Sequence, residues 1–125
     1  MLSYATLGSN RIEEAKVFYD KLLATIGMNP LFEHGSGGRV YGVMGGPMFA
    51  ILRPFDEGQA TVGNGTMIGF ACADPAAVDR FHATALELGG TCEGAPGPRG
   101  PVEANVYLAY VRDLDGNKIC AMKMG

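Results

Sequence analysis

One pattern is written twice along this chain. Ala15, Phe18, Leu22, Leu23 and Gly27 recur at a single constant offset as Val78, Phe81, Ala85, Leu86 and Gly90. In each copy the apolar positions fall at helical spacing and glycine closes the run, Gly27 as a left-handed stop in the first, Gly89 and Gly90 in the second. A duplication of this kind predicts two similar supersecondary units, each too small to bury its own apolar face, that must pack together.

The residues around each copy complete the unit. In module one, about residues 1–55, Leu2 to Leu7 reads as a strand, and Asn10 with Glu13 three residues on resembles a helix-opening capping box. The stripe Ala15, Phe18, Leu22, Ile26 then predicts a helix of about four turns. Three short runs follow between glycine turns, Pro30 to His34, Arg39 to Met44 and Met48 to Arg53. In module two, about residues 64–125, Gly65 to Ala73 is the strand, Asp74 the N-cap and Pro75 the first helical residue. Val78, Phe81, Ala85 and Leu88 form its buried stripe. Thr91 to Glu93, Asn105 to Arg112 and Lys118 to Lys123 are the remaining strands, the last two joined by the turn Asp113 to Asn117. The segment GAPGPRGP from Gly94 to Pro101 has no packing pattern and reads as a loop or lid.

The predicted fold class is α+β: two βαβββ modules in one domain, 1–125, combining into a cupped mixed sheet with helices on the outer face. The opposite face is a concave groove suited to a ligand. With 125 residues and 47% hydrophobic content, one compact core is within reach. A net charge of −3 gives no basic excess for phosphates, so nucleic acid is not an expected partner. No apolar run reaches the roughly 20 residues that cross a bilayer. The N-terminus shows no secretory pattern, and Cys72, Cys92 and Cys120 are odd in number with no CxxC pair, which suits a cytoplasmic location.

Strand alternation assigns faces. Ile68 and Phe70 should meet a helix, turning Met67 and Gly69 to the groove; by the repeat, Tyr4 and Thr6 follow. Ile119 and Ala121 should likewise face the helix, with Cys120 and Met122 in the groove.

The segments SYATLGSNRIEEAKVFYDKLLATIGM, GNGTMIGFACADPAAVDRFHATALELGG and YLAYVRDLDGNKI, in this order and spacing, resemble the vicinal oxygen chelate superfamily of glyoxalases, bleomycin-resistance proteins and extradiol dioxygenases. The resemblance covers nearly the whole chain. It implies homodimers and, in the enzymes, one divalent ion held by His and Glu from the first and last strands of each module. Carried onto this sequence, those positions fall on Tyr4, on Met67 in GNGTM, on Cys120 in DGNKIC, and on Phe49 or Ala50. A hard divalent ion needs carboxylate or imidazole donors, whereas these residues offer phenol, thioether, thiol and hydrocarbon.

The reading that follows is a metal-independent binder of a small organic molecule, with no cofactor expected, its groove lined by Tyr4, Phe49, Met67, Tyr107 and Cys120. The alternative is a glyoxalase-like lyase or isomerase, or a dioxygenase, holding a divalent metal at a non-standard site. Other residues have structural readings beside functional ones. Cys120 can be a nucleophile or a small lining residue. Arg39, Arg53 and Arg99 can grip an anion or sit at exposed strand ends. Tyr41 and Tyr110 fit strands by propensity. His34 reads as a turn residue and His82 as the edge of a helix, and Glu103 and Asn105 can line the groove mouth.

Overall fold

The computed structural model describes all 125 residues as eight strands and two helices. Module one runs β1 (Tyr4–Gly8), α1 (Ile12–Ala24), β2 (Pro30–Glu33), β3 (Arg39–Gly42) and β4 (Met48–Leu52). Module two runs β5 (Ile68–Ala71), α2 (Pro75–Glu87), β6 (Thr91–Arg99), β7 (Val106–Arg112) and β8 (Lys118–Met124), with a 3-10 turn at Val102–Ala104. Strand order is β1-β4-β3-β2 in one sheet and β5-β8-β7-β6 in the other. The first strand of each module pairs parallel with its last, and the remaining pairs are antiparallel. Two βαβββ units are therefore present, but their sheets do not join in one hydrogen-bonded ladder. Side-chain packing unites them instead.

Ala15, Phe18, Leu22 and Leu23 of α1, Val78, Phe81 and Ala85 of α2, and inward residues of both sheets form one continuous core. A chain of aromatic rings crosses it: Tyr41 stacks on Phe49, and Phe49 meets Phe70 edge-on with ring centroids 5.2 Å apart. Neither module could bury this surface alone.

The helix ends differ. Asp74 caps α2 as expected, accepting from the Ala77 N–H at 2.8 Å, with Pro75 just inside. At α1 the expected capping box is absent. Arg11 occupies the cap position with no side-chain bond to the helix. Asn10 instead exchanges two hydrogen bonds with the Ala60 backbone, at 2.7 and 3.0 Å, tying the inter-module connection to the start of the helix.

The segment Gly94 to Arg99, expected as a loop, belongs to β6. It pairs with β7 through two register shifts. Prolines are tolerated there because β6 is an edge strand, where a missing N–H can face solvent. Gly94 is required by close approach, since a Cβ would lie 2.8 Å from the Tyr110 ring.

The turn after β7 does more than reverse the chain. Asp113 is buried and accepts from the Tyr19 hydroxyl at 2.5 Å and from Asn117 Nδ2 at 3.0 Å. Asn117 Nδ2 also donates to the Gly8 carbonyl at 2.9 Å, and Asp115 accepts from the Ser9 hydroxyl at 2.6 Å. Module two is thereby tied to β1 and α1 of module one. Burial holds the Asp113 carboxyl above its ordinary pKa, outweighing the hydrogen bonds that favour its charged form, and the Tyr19 phenol is pushed well up for the same reason.

Candidate functional site

Each sheet keeps one face turned away from its helix. In module one the register sets Tyr4 opposite Met48 and Thr6 opposite Ala50. In module two Gly69 pairs with Cys120 and Ala71 with Met122, while Tyr110 lies opposite Cys120 across β7. The facings expected for Tyr4, Thr6, Met67, Gly69, Cys120 and Met122 agree with this alternation. Tyr4 is 62% exposed and Met67, one residue before β5, is also open to solvent. Cys120 is enclosed, its Sγ only 3.1 Å from where a Cβ on Gly69 would stand, and burial raises its thiol pKa. A protonated, enclosed thiol is a lining group rather than an activated nucleophile.

Phe49 and Tyr107 do not lie on the open face. Phe49 is buried in the core, packed on Tyr19, Tyr41 and Phe70, because the open-face position of β4 is Ala50. Tyr107 points to the helix side, where its hydroxyl donates to Asp79 of α2 at 2.8 Å. The tyrosine on the open face is Tyr110, flanked by Lys118 Nζ at 5.1 Å and the Arg99 guanidinium at 5.7 Å from its ring centre. Counting back from the hairpin turn, Lys118 against Arg112 and Cys120 against Tyr110, would have identified it from sequence.

A cavity of about 430 Å³ opens at the seam between the first strands of the two modules. Tyr4, Met28, Met48, Phe49, Gly69 and Phe70 are among its walls, which are mostly apolar. Phe49 thus reaches the seam from the core side, whereas Met67, Tyr107 and Cys120 lie outside this cavity. A larger hollow of about 820 Å³ near His34 and Arg53 is polar. Within it, Arg53 donates to the Ser36 carbonyl at 2.9 Å, and His34 Nδ1 lies 3.0 Å from the Ser36 hydroxyl. Ligand sites for organic molecules are concave and mainly apolar, which favours the seam.

The remaining candidates have structural partners. Arg39 is ion-paired with Asp20 and Glu33, which draws the Glu33 carboxyl below its usual range. Arg99 donates to the carbonyls of Ala95 and Pro98. Glu103 and Asn105 are exposed at the 3-10 turn. Tyr41 donates to Asp20 at 2.7 Å within module one.

The donor set does not fit a hard divalent ion. Tyr4 is a phenol, Met67 a thioether, Cys120 a thiol kept protonated by burial, and Ala50 has no donor. No three or more His, Cys, Asp or Glu side chains converge where an ion could be held.

Solved structures share this architecture. A glyoxalase/bleomycin resistance protein from Albidiferax ferrireducens T118 is 43% identical over 98% of each chain, with a TM-score of 0.89. A glyoxalase/bleomycin resistance protein/dioxygenase family enzyme from Burkholderia phytofirmans PsJN is 17% identical over 98% of each chain, TM-score 0.74. A lactoylglutathione lyase from Agrobacterium tumefaciens is 19% identical over 98% of this chain and 92% of its own, TM-score 0.69; these two show likeness of fold alone. No family model and no curated protein matches the sequence. Duplicated βαβββ modules, a shared core and 43% identity across nearly the full length together establish that this chain belongs to the glyoxalase/bleomycin resistance family of the vicinal oxygen chelate superfamily.

Proposed function

We propose that this protein binds a small, largely apolar organic molecule without a metal ion, in the seam cavity between its modules. The observation that carries the reading is the chemistry of the cavity wall. Met28, Met48, Phe49 and Phe70 offer hydrocarbon, thioether and ring surface, while the Tyr4 hydroxyl at the rim can orient one polar group. Burying apolar ligand surface there would contribute about 25 cal/mol per Å². The family positions that hold an ion in its enzymes carry no carboxylate or imidazole in this chain.

A homodimer fits the same reading. The open faces of both sheets expose Tyr4 and Met67, and a second copy laid across them would deepen the groove. The three free cysteines are in keeping with a cytoplasmic protein. No helix is long and apolar enough to cross a membrane.

The test is a thermal-shift screen of small aromatic and aliphatic molecules, paired with elemental analysis of protein purified without chelator. Binding at the seam should raise the melting temperature with ligand concentration, and Phe70→Ala or Met48→Glu should abolish the shift. Near-stoichiometric Zn, Ni, Mn or Fe would replace this reading with that of a lyase, isomerase or dioxygenase using donors from elsewhere.

A further inference from the structure

Away from the open face, α2 and β6 bring a histidine and a cysteine into contact. His82 Nε2 lies 3.2 Å from Cys92 Sγ. Cys92 pairs in register with Val111, a core residue, which turns its thiol toward the helix. The next residue, Glu93, turns the other way and pairs with Arg112. The imidazole is sheltered, His82 being 9% exposed, whereas Cys92 is open to solvent.

This arrangement divides the work of a reactive thiol between two residues. Burial lowers the His82 pKa, with the Asp79 carboxylate acting in the opposite sense, so the ring is neutral near pH 7. With its proton on Nδ1, a neutral ring presents Nε2 as the acceptor for the thiol proton. Asp79, held by the Tyr107 hydroxyl, then favours the imidazolium that forms. Cys72 and Cys120 lack such a partner: both are buried, and burial raises their thiol pKa values.

We propose that Cys92 and His82 form a thiol–imidazole pair that makes Cys92 the hydroperoxide-reactive site of this chain. In the step, Sγ attacks the terminal oxygen of the hydroperoxide and the O–O bond breaks. The thiol proton passes through Nε2 to the departing oxygen, which leaves as an alcohol or, from hydrogen peroxide, as water. Sulfur is oxidised by two electrons to the sulfenic acid, and the peroxide is reduced by two. A low-molecular-weight thiol can then displace water from the sulfenic acid to give a mixed disulfide.

The reduced, full-length protein should be treated with limiting hydrogen peroxide in the presence of dimedone, which traps sulfenic acids, and the adduct located and timed by peptide mass spectrometry. The expected result is an adduct on Cys92 ahead of Cys72 and Cys120, formed about a hundredfold more slowly in His82→Gln, at the low end of general-base effects. His82→Asn serves as a second variant, with melting temperatures verifying that both are folded. A His82→Gln rate within about twofold of the parent would mean that exposure alone explains the reactivity, and would overturn the proposal. So would first modification at Cys72 or Cys120, or an equal difference between parent and variant in the urea-unfolded chain.

Discussion

Tyr19 is fully enclosed, yet it carries a hydroxyl, and that hydroxyl is satisfied by one atom of Asp113. Removing one partner of such a buried pair costs more than the bond itself contributes, because the group left behind has lost both water and its mate. Tyr19→Phe should destabilise the protein by about 1–3 kcal/mol in urea unfolding, with an unchanged m-value. A loss below about 0.5 kcal/mol would mean that the remaining donors, from Asp115 and Asn117, satisfy the carboxyl. At this scale the sequence was legible only in part. Tyr4 and Cys120 could be assigned to a face because neighbouring apolar residues set the phase of their strands. Phe49 could not, since Phe49 and Ala50 are both plausible core residues and nothing local decides between them. Tyr107 and Tyr110 share one strand and differ in face, and only the pairing across the hairpin, Tyr110 against Cys120, separates them.

The elements themselves were easier to read, and their errors lie at the ends. The cap on α2 is encoded within four residues, Asp74 through Ala77, so the sequence displays it directly. Asp74→Ala should cost about 1 kcal/mol, seen as a lower urea midpoint, whereas Asn10→Ala should act through the Ala60 contacts and leave helix content unchanged by circular dichroism. The false capping box at Asn10 arose because its partner is distant in sequence, and local spacing cannot reveal such a competitor. The proline-rich stretch misled for a related reason. Proline and glycine signal a break in a central strand, but on the outer edge of a sheet they are compatible with pairing, and edge position is a property of topology.

For the whole molecule, the repeat was sufficient to give the paired modules, because helical stripes and glycine stops survive in both copies. What it could not give is how the modules meet. One merged sheet and two sheets sharing a core satisfy the same alternation. The separate strand ladders distinguish them, and contacts distant in sequence, such as Phe49 on Phe70 and Asn117 to Gly8, hold the two sheets together. The seam cavity was therefore invisible in the sequence, although two of its walls, Tyr4 and Phe49, had been named on other grounds.

No disulfide joins the modules, so the connection between Leu52 and Ile68 is their sole covalent tie, and with no β-ladder spanning them the adhesion is left to rings, methyl groups and a few hydrogen bonds. A peptide bond cut after Gly58 would leave Asn10 and Ala60 on separate fragments, still able to exchange their two hydrogen bonds. Each fragment should be unfolded by itself, and an equimolar mixture should regain the helical circular dichroism of the parent through reconstitution. If instead one fragment folds unaided, half of the ancestral duplication has kept the independence it would have had before it was copied.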